Sequence, residues 1–164
     1  MLKKFKTKGV LLLFAFSVLL FACCNTNSQN NTQKLLCTFE ISCKDALEAG
    51  IITNDEITEL LPSDGIIYYS ENVEFSDGQS VFDILLNISK NQKIPFEFVK
   101  STYTGVYIEG IANLYEFDGG SNYGWLYSVN GEYPSLSCSS YFPKDKDVIT
   151  FEYNRSNSQQ INSK

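Results

Sequence analysis

A chain of 164 residues with 19 acidic and 13 basic side chains, and so a net charge of −6, has about the size of one domain and the wrong sign for gripping a nucleic-acid backbone. It contains no histidine, which removes the commonest general base and, with it, Ser-His-Asp and Cys-His machinery.

The chain opens MLKKFKTKGV, with four lysines and no acid, and then runs apolar and uncharged from Val10 to Ala22. A membrane-spanning helix needs about 20 such residues, so residues 1–22 read as a secretory signal peptide and not as part of the fold. Its end, LLFACC, places Leu20 three residues before Cys23 and the small Ala22 directly before it. This pattern resembles the lipobox of bacterial lipoproteins, and that resemblance implies lipidation of Cys23 after cleavage before it. The alternative is an ordinary cleaved signal with a free or disulfide-bonded Cys23. A two- or three-chain lipid gives stable anchoring where a single chain does not. The expected location is therefore exported and lipid-anchored, on the outer face of the cell membrane.

Residues 23–37 read as the lipidated cysteine and a flexible polar tether, because CNTNSQNNTQK has no large apolar side chain to offset its ordering entropy. Without residues 1–22 the chain carries nine basic and 19 acidic groups, a net charge of about −10. The body spans 38–153, and 154–164 reads as a disordered tail of similar polar composition.

Within the body, LCTFEISC (36–43) alternates Phe39, Ile41 and Cys43 with Thr38, Glu40 and Ser42, the period of a half-buried strand. Residues 44–65 mix helical and turn signals and predict a variable loop with one helical turn. GIIYYSENVEF follows as a strand broken near Ser70 to Asn72. In SDGQSVFDILLNISKNQ, Val81, Ile84, Leu85 and Ile88 fall on one helical face, with Asp77 and Ser80 as candidate caps. Four later stretches, IPFEFVKST, GVYIEGIANLYEF, GWLYSVNGEYP and DVITFEYN, predict strands. The fold class is α+β and β-grasp-like, one mixed or antiparallel sheet packed against a single main helix.

Asn130-Gly131 is a strong hairpin signal, since a two-residue type I′ turn wants positive φ at both central positions. On the arm before it, Trp125, Tyr127 and Val129 share one face and Leu126 and Ser128 the other. Either the aromatic face is core, or Leu126 packs inward and the aromatics are displayed.

Cysteine usage suits export. Cys37 and Cys43 lie about 20 Å apart on one expected strand and cannot pair with each other. A Cys43–Cys138 bridge is the expected pairing and would be worth about 4 to 5 kcal/mol in the chain-entropy model. The alternative keeps all these thiols reduced.

The run from DGQSVFDILL through YIEGIANLYEFDGGSNYGWLYSVNG to YFPKDKDVITFEY resembles the transcobalamin-like C-terminal domain family. The same domain ends animal transcobalamin and intrinsic factor, where it is the smaller, β-grasp-like lid over cobalamin. The resemblance implies a non-catalytic binding module with cobalamin, or another corrinoid or flat ligand, as the possible small molecule. The helical barrel that completes the animal pocket has no counterpart of that size here, so cobalamin binding implies a partner subunit or a much weaker, one-sided contact. For a flat ligand the candidate residues are Tyr123, Trp125, Tyr127, Tyr133 and Tyr141, which offer stacking area with a polar tip.

An enzyme is not expected. No Cys-x-x-Cys pair suggests a zinc ribbon or redox dithiol, DGGSN at 118–122 reads as a flexible loop and not a calcium loop, and no metal is expected. Two other readings stay open: a structural or adhesive envelope protein that binds other surface proteins through a sheet edge, and a carboxylate-only hydrolase.

Overall fold

The computed structural model describes residues 34–155. The signal peptide, Cys23, the tether up to residue 33 and the tail from 156 lie outside the described residues. The described body holds strands β1 (Lys34–Ser42), β2 (Ile66–Ser76), β3 (Phe96–Ser101), β4 (Gly105–Ile111), β5 (Leu114–Tyr115), β6 (Tyr123–Val129) and β7 (Val148–Arg155). Its helices are α1 (Lys44–Glu48), α2 (Asp55–Thr58) and α3 (Val81–Gln92). Strand structure thus begins four residues before the boundary read from sequence and ends two residues after it. Among the described residues no helix is long and apolar enough to cross a membrane.

The strands form two sheets, where one was expected. The first runs β2-β1-β7-β6 and the second β3-β4-β5. In the first, the central β1 and β7 are parallel, and β2 and β6 flank them antiparallel. The second ends in a tight turn, because Ala112 and Asn113 both take positive φ, 54° and 62°, which folds β5 straight back onto β4. That local turn, carried by an alanine, has no strong signature in sequence.

Alternation places the core of the first sheet. Phe39 and Ile41 of β1 lie opposite Ile149 and Phe151 of β7, and all four are buried. Across the next ladder Trp125 faces Tyr153, Tyr127 faces Phe151 and Val129 faces Ile149. Trp125 and Val129 are buried and Tyr127 half-buried, so the core reading of the aromatic arm is the one the structure adopts. The expected break in β2 is a register shift: Cys37 pairs with Val73 but Phe39 with Ser70, which leaves an extra residue on β2. The expected hairpin turn forms, with φ of 53° at Asn130 and 81° at Gly131. Its second arm stops after a single bridge between Val129 and Glu132.

The longest helix starts where the sequence places it. Ser80 is the N-cap: its hydroxyl accepts from the Asp83 N–H at 3.2 Å while the Asp83 carboxylate accepts from the Ser80 N–H at 2.9 Å. The Val81 and Phe82 N–H groups donate to the carbonyls of Tyr141 and Cys138, so the loop before β7 is pinned to this helix. Phe82 packs on Phe96 and Phe98 of β3. The stretch 44–65, expected to hold one helical turn, holds the two short helices α1 and α2.

Cys37, Cys43 and Cys138 are buried free thiols, so the expected Cys43–Cys138 bridge is not formed. Cys43 sits past the end of β1, its Sγ donating to the Gly65 carbonyl at 3.6 Å, whereas Cys138 is held at the start of α3. Ser80→Ala is expected to cost about 1 kcal/mol of stability, read as a lower urea midpoint at unchanged slope. An unchanged midpoint would show that the Tyr141 and Cys138 carbonyls cap the helix unaided.

Candidate functional site

Strands β4 and β6 belong to different sheets and do not pair along their lengths. Between them lies a cavity of about 230 Å³. One wall is Val106, Tyr107 and Ile108 of β4, the other Trp125, Leu126 and Tyr127 of β6, with Phe151 behind. The segment after the Asn-Gly turn closes it with Tyr133, Pro134, Ser135, Ser137 and Cys138.

Hydrogen bonds fix this segment to both walls. The Ser137 hydroxyl donates to the Val106 carbonyl at 2.8 Å and accepts from its N–H at 3.0 Å, and Ser139 accepts from the same N–H at 3.1 Å. Those bonds satisfy a backbone position at the open edge of β4. From the other wall the Tyr127 hydroxyl donates to the Leu136 carbonyl at 2.6 Å. The Tyr127 ring stacks on Phe151 with centroids 5.7 Å apart. Trp125 is 7% exposed, and its indole N–H donates to the Leu114 carbonyl at 2.8 Å.

Three of the five residues expected to contact a flat ligand, Trp125, Tyr127 and Tyr133, line this cavity. The other two support it from outside: Tyr123 stacks on Tyr153 and Tyr141 meets Tyr127 edge-on. Sequence reasoning missed Phe151, and it missed Tyr107, which brings the aromatic lining residues to five. Its stretch, GVYIEG, reads as a strand, but nothing in it says that β4 comes to lie beside β6. Pro134, Ser137 and Cys138 were missed for the same reason, since the chain reaches the cavity there without regular structure.

The electrostatics of the lining are those of neutral phenols beside carboxylates. The Tyr107 hydroxyl donates to Glu116 and the Tyr133 hydroxyl to Glu152. Burial, reinforced by these carboxylates, pushes both phenols up from 10 to about 12. Burial also holds Tyr127 well above the usual tyrosine range and raises the Cys138 thiol to about 11. At neutral pH Cys138 is therefore a protonated, unreactive thiol. The site offers shape, aromatic surface and hydrogen-bond acceptors, with no activated nucleophile among its described lining residues.

Residues 78–155 match the model of a family described as a domain of unknown function, DUF4430. No curated protein matches the chain. Among solved structures, haptocorrin in complex with Cbi is similar at a TM-score of 0.56 and 15% identity, over 78% of this chain and 27% of that one. A Ruminococcus gnavus protein provisionally described as metal-binding is similar at a TM-score of 0.44 and 14% identity, over 75% of this chain and 99% of that one. The haptocorrin likeness is one of fold and agrees at that level with the transcobalamin-like resemblance of the sequence. The chain spans about a quarter of the haptocorrin chain.

Raised phenol pKa values have a signed consequence. The folded state keeps the Tyr107 and Tyr133 protons to about pH 12, whereas the unfolded chain releases them near pH 10. Above pH 10 the native state binds more phenol protons, so the phenols' contribution is fully present below pH 10 and is lost as pH rises toward 12. The buried Cys37, Cys43 and Cys138 thiols, raised from 9 to about 11, act the same way one unit lower. Denaturant unfolding at pH 8, 10 and 11 is expected to show a first loss between pH 8 and 10, from the thiols, and a steeper fall per pH unit between 10 and 11, where the phenols join them. Equal stability at pH 8 and 11 would contradict the burial of these phenols.

Proposed function

We propose that the protein is a non-catalytic binding module that receives part of a small molecule in the cavity between β4 and β6. The observation that carries this reading is the lining: five aromatic residues, two of them hydrogen-bonded to carboxylates, around a small preformed space. Ligand sites are typically mostly apolar with a few polar groups that fix orientation. The absence of histidine from the sequence and the raised Cys138 thiol favour binding over catalysis. We read the four-stranded sheet with its parallel central pair as the β-grasp part of the fold.

Cobalamin and related corrinoids are the first ligands to test, on the strength of the sequence resemblance and of the fold shared with haptocorrin, crystallised with Cbi. At about 230 Å³ the cavity is below the roughly 300–1,000 Å³ of ordinary ligand pockets. It would take only the edge of a macrocycle, with a partner subunit covering the rest. The structural or adhesive alternative would use β2, one of the two outer strands of its sheet among the described residues. That edge carries exposed Glu71 and Glu74 beside a register shift, features that discourage strand addition.

Trp125 is the only tryptophan and lines the cavity, so its emission reports occupancy. The purified full chain is expected to show a blue-shifted maximum that corrinoid changes saturably, with matching heat by calorimetry to separate binding from light absorption by the corrinoid. Quenching without heat would remove corrinoid as an unaided ligand. Display at the membrane is a separate part of the proposal and rests on the LLFACC sequence. Cys23→Ser is expected to leave the chain uncleaved and without diacylglycerol by mass spectrometry, and an unchanged mature mass would overturn the anchor.

A further inference from the structure

We propose that the group which enters the cavity between β4 and β6 is an organic cation, a methylated ammonium of the choline type. The inference rests on the reading of this cavity as a ligand site and adds the chemistry of what it takes.

Tyr107, Trp125, Tyr127, Tyr133 and Phe151 are five aromatic residues among those that line a cavity of about 230 Å³. Aromatic rings carry negative potential on their faces, and a cation within about 6 Å of a ring centroid is attracted to it, most strongly when water is excluded. Two of these rings also end on carboxylates: Tyr107 donates to Glu116 and Tyr133 to Glu152. Two carboxylates therefore lie one hydrogen bond away from residues that line the space. Among the described residues that line it, none is basic, so nothing in the lining competes for that potential. The phenols are held protonated well past neutral pH, so the rings would act through their faces and not as phenolates.

Pro134 and Ile108 add apolar surface. That suits methyl groups better than a bare, strongly hydrated ammonium. The rest of the domain shows aromatic rings serving the same purpose within the molecule. Lys100 Nζ lies 5.8 Å from the Phe82 centroid and 5.7 Å from that of Phe98. The acidic balance of the chain, 19 acidic against 13 basic groups, raises the local concentration of cations around it.

The test is a calorimetric titration of the purified full chain with choline and, in parallel, with 3,3-dimethylbutan-1-ol, its neutral isostere of the same shape. Choline is expected to bind, and the isostere to bind at least about tenfold more weakly. Tyr107→Leu is expected to weaken choline roughly two- to fivefold, the range of one cation–π contact at a ring that is 52% exposed, while Tyr107→Phe keeps the ring and most of the affinity. Thermal melts of both variants establish folding. If Tyr107→Leu does not fold, Glu116→Gln is used in its place, with a severalfold weakening expected for choline and none for the isostere.

Equal affinity for choline and the isostere would overturn the cation and leave the cavity standing as a binding site. Absence of binding by both, with saturable corrinoid heat, would also overturn the cation while upholding the binding module. Silence of all three ligands would overturn the cation and count against the cavity as a site.

Discussion

The carbonyls of Leu114 and Tyr115, the two residues of β5, are the acceptors on which the two sheets are joined. Trp125 of β6 donates its indole N–H to Leu114, and Tyr153 of β7 donates its hydroxyl to Tyr115 at 3.0 Å. The same Tyr153 oxygen accepts the Gly119 N–H at 2.7 Å, which fixes the loop leading into β6. The two rings meet edge to face with centroids 5.5 Å apart, both almost wholly buried. A buried donor without its partner costs about 1 to 3 kcal/mol, so each of these side chains demands that β5 stay where it is.

The cavity follows from that clasp. With β5 held against Trp125 and Tyr153, β4 lies beside β6 without pairing to it, and the space left between them is walled by Tyr107 on one side and by Trp125 and Tyr127 on the other. The irregular segment from Tyr133 to Ser139 spans the gap and bonds to both walls, through Ser137 to Val106 and through Tyr127 to Leu136. Because the same stretch, continued to Tyr141, also lends the Cys138 and Tyr141 carbonyls to the start of α3, the cavity, the hairpin turn and the helix cap share one run of chain. A ligand entering such a preformed space would incur little ordering cost, the general advantage of preorganisation.

Much of this was legible in the residues. The alternation of β1 and β7, the Ser80 cap and the Asn130-Gly131 turn are local signals, and each is found where the pattern put it. The aromatic arm was legible as an arm but not as to which face is core, because Leu126 and Trp125 are both apolar and only the β7 partner decides. The second sheet was not legible. It depends on a left-handed Ala112 and on Gly110, where any Cβ would fall 2.6 Å from the Tyr115 ring that covers it. The cysteine pairing failed for a similar reason: spacing excludes partners along a strand but does not say which thiols meet in three dimensions. Tyr107 joins the site only through the tertiary placement of β4 against β6.

A single observable reads both the clasp and the cavity, because the one tryptophan belongs to both. In the ¹⁵N-labelled full chain Trp125 gives one indole N–H resonance, whose exchange with water and shift on titration with choline can be followed together. Slow exchange is expected in the free protein, from the buried bond to Leu114, and a saturable shift on addition of choline with exchange still slow. Fast exchange in the free protein would contradict the clasp, and a resonance that stays fixed while choline binds would place the ligand elsewhere.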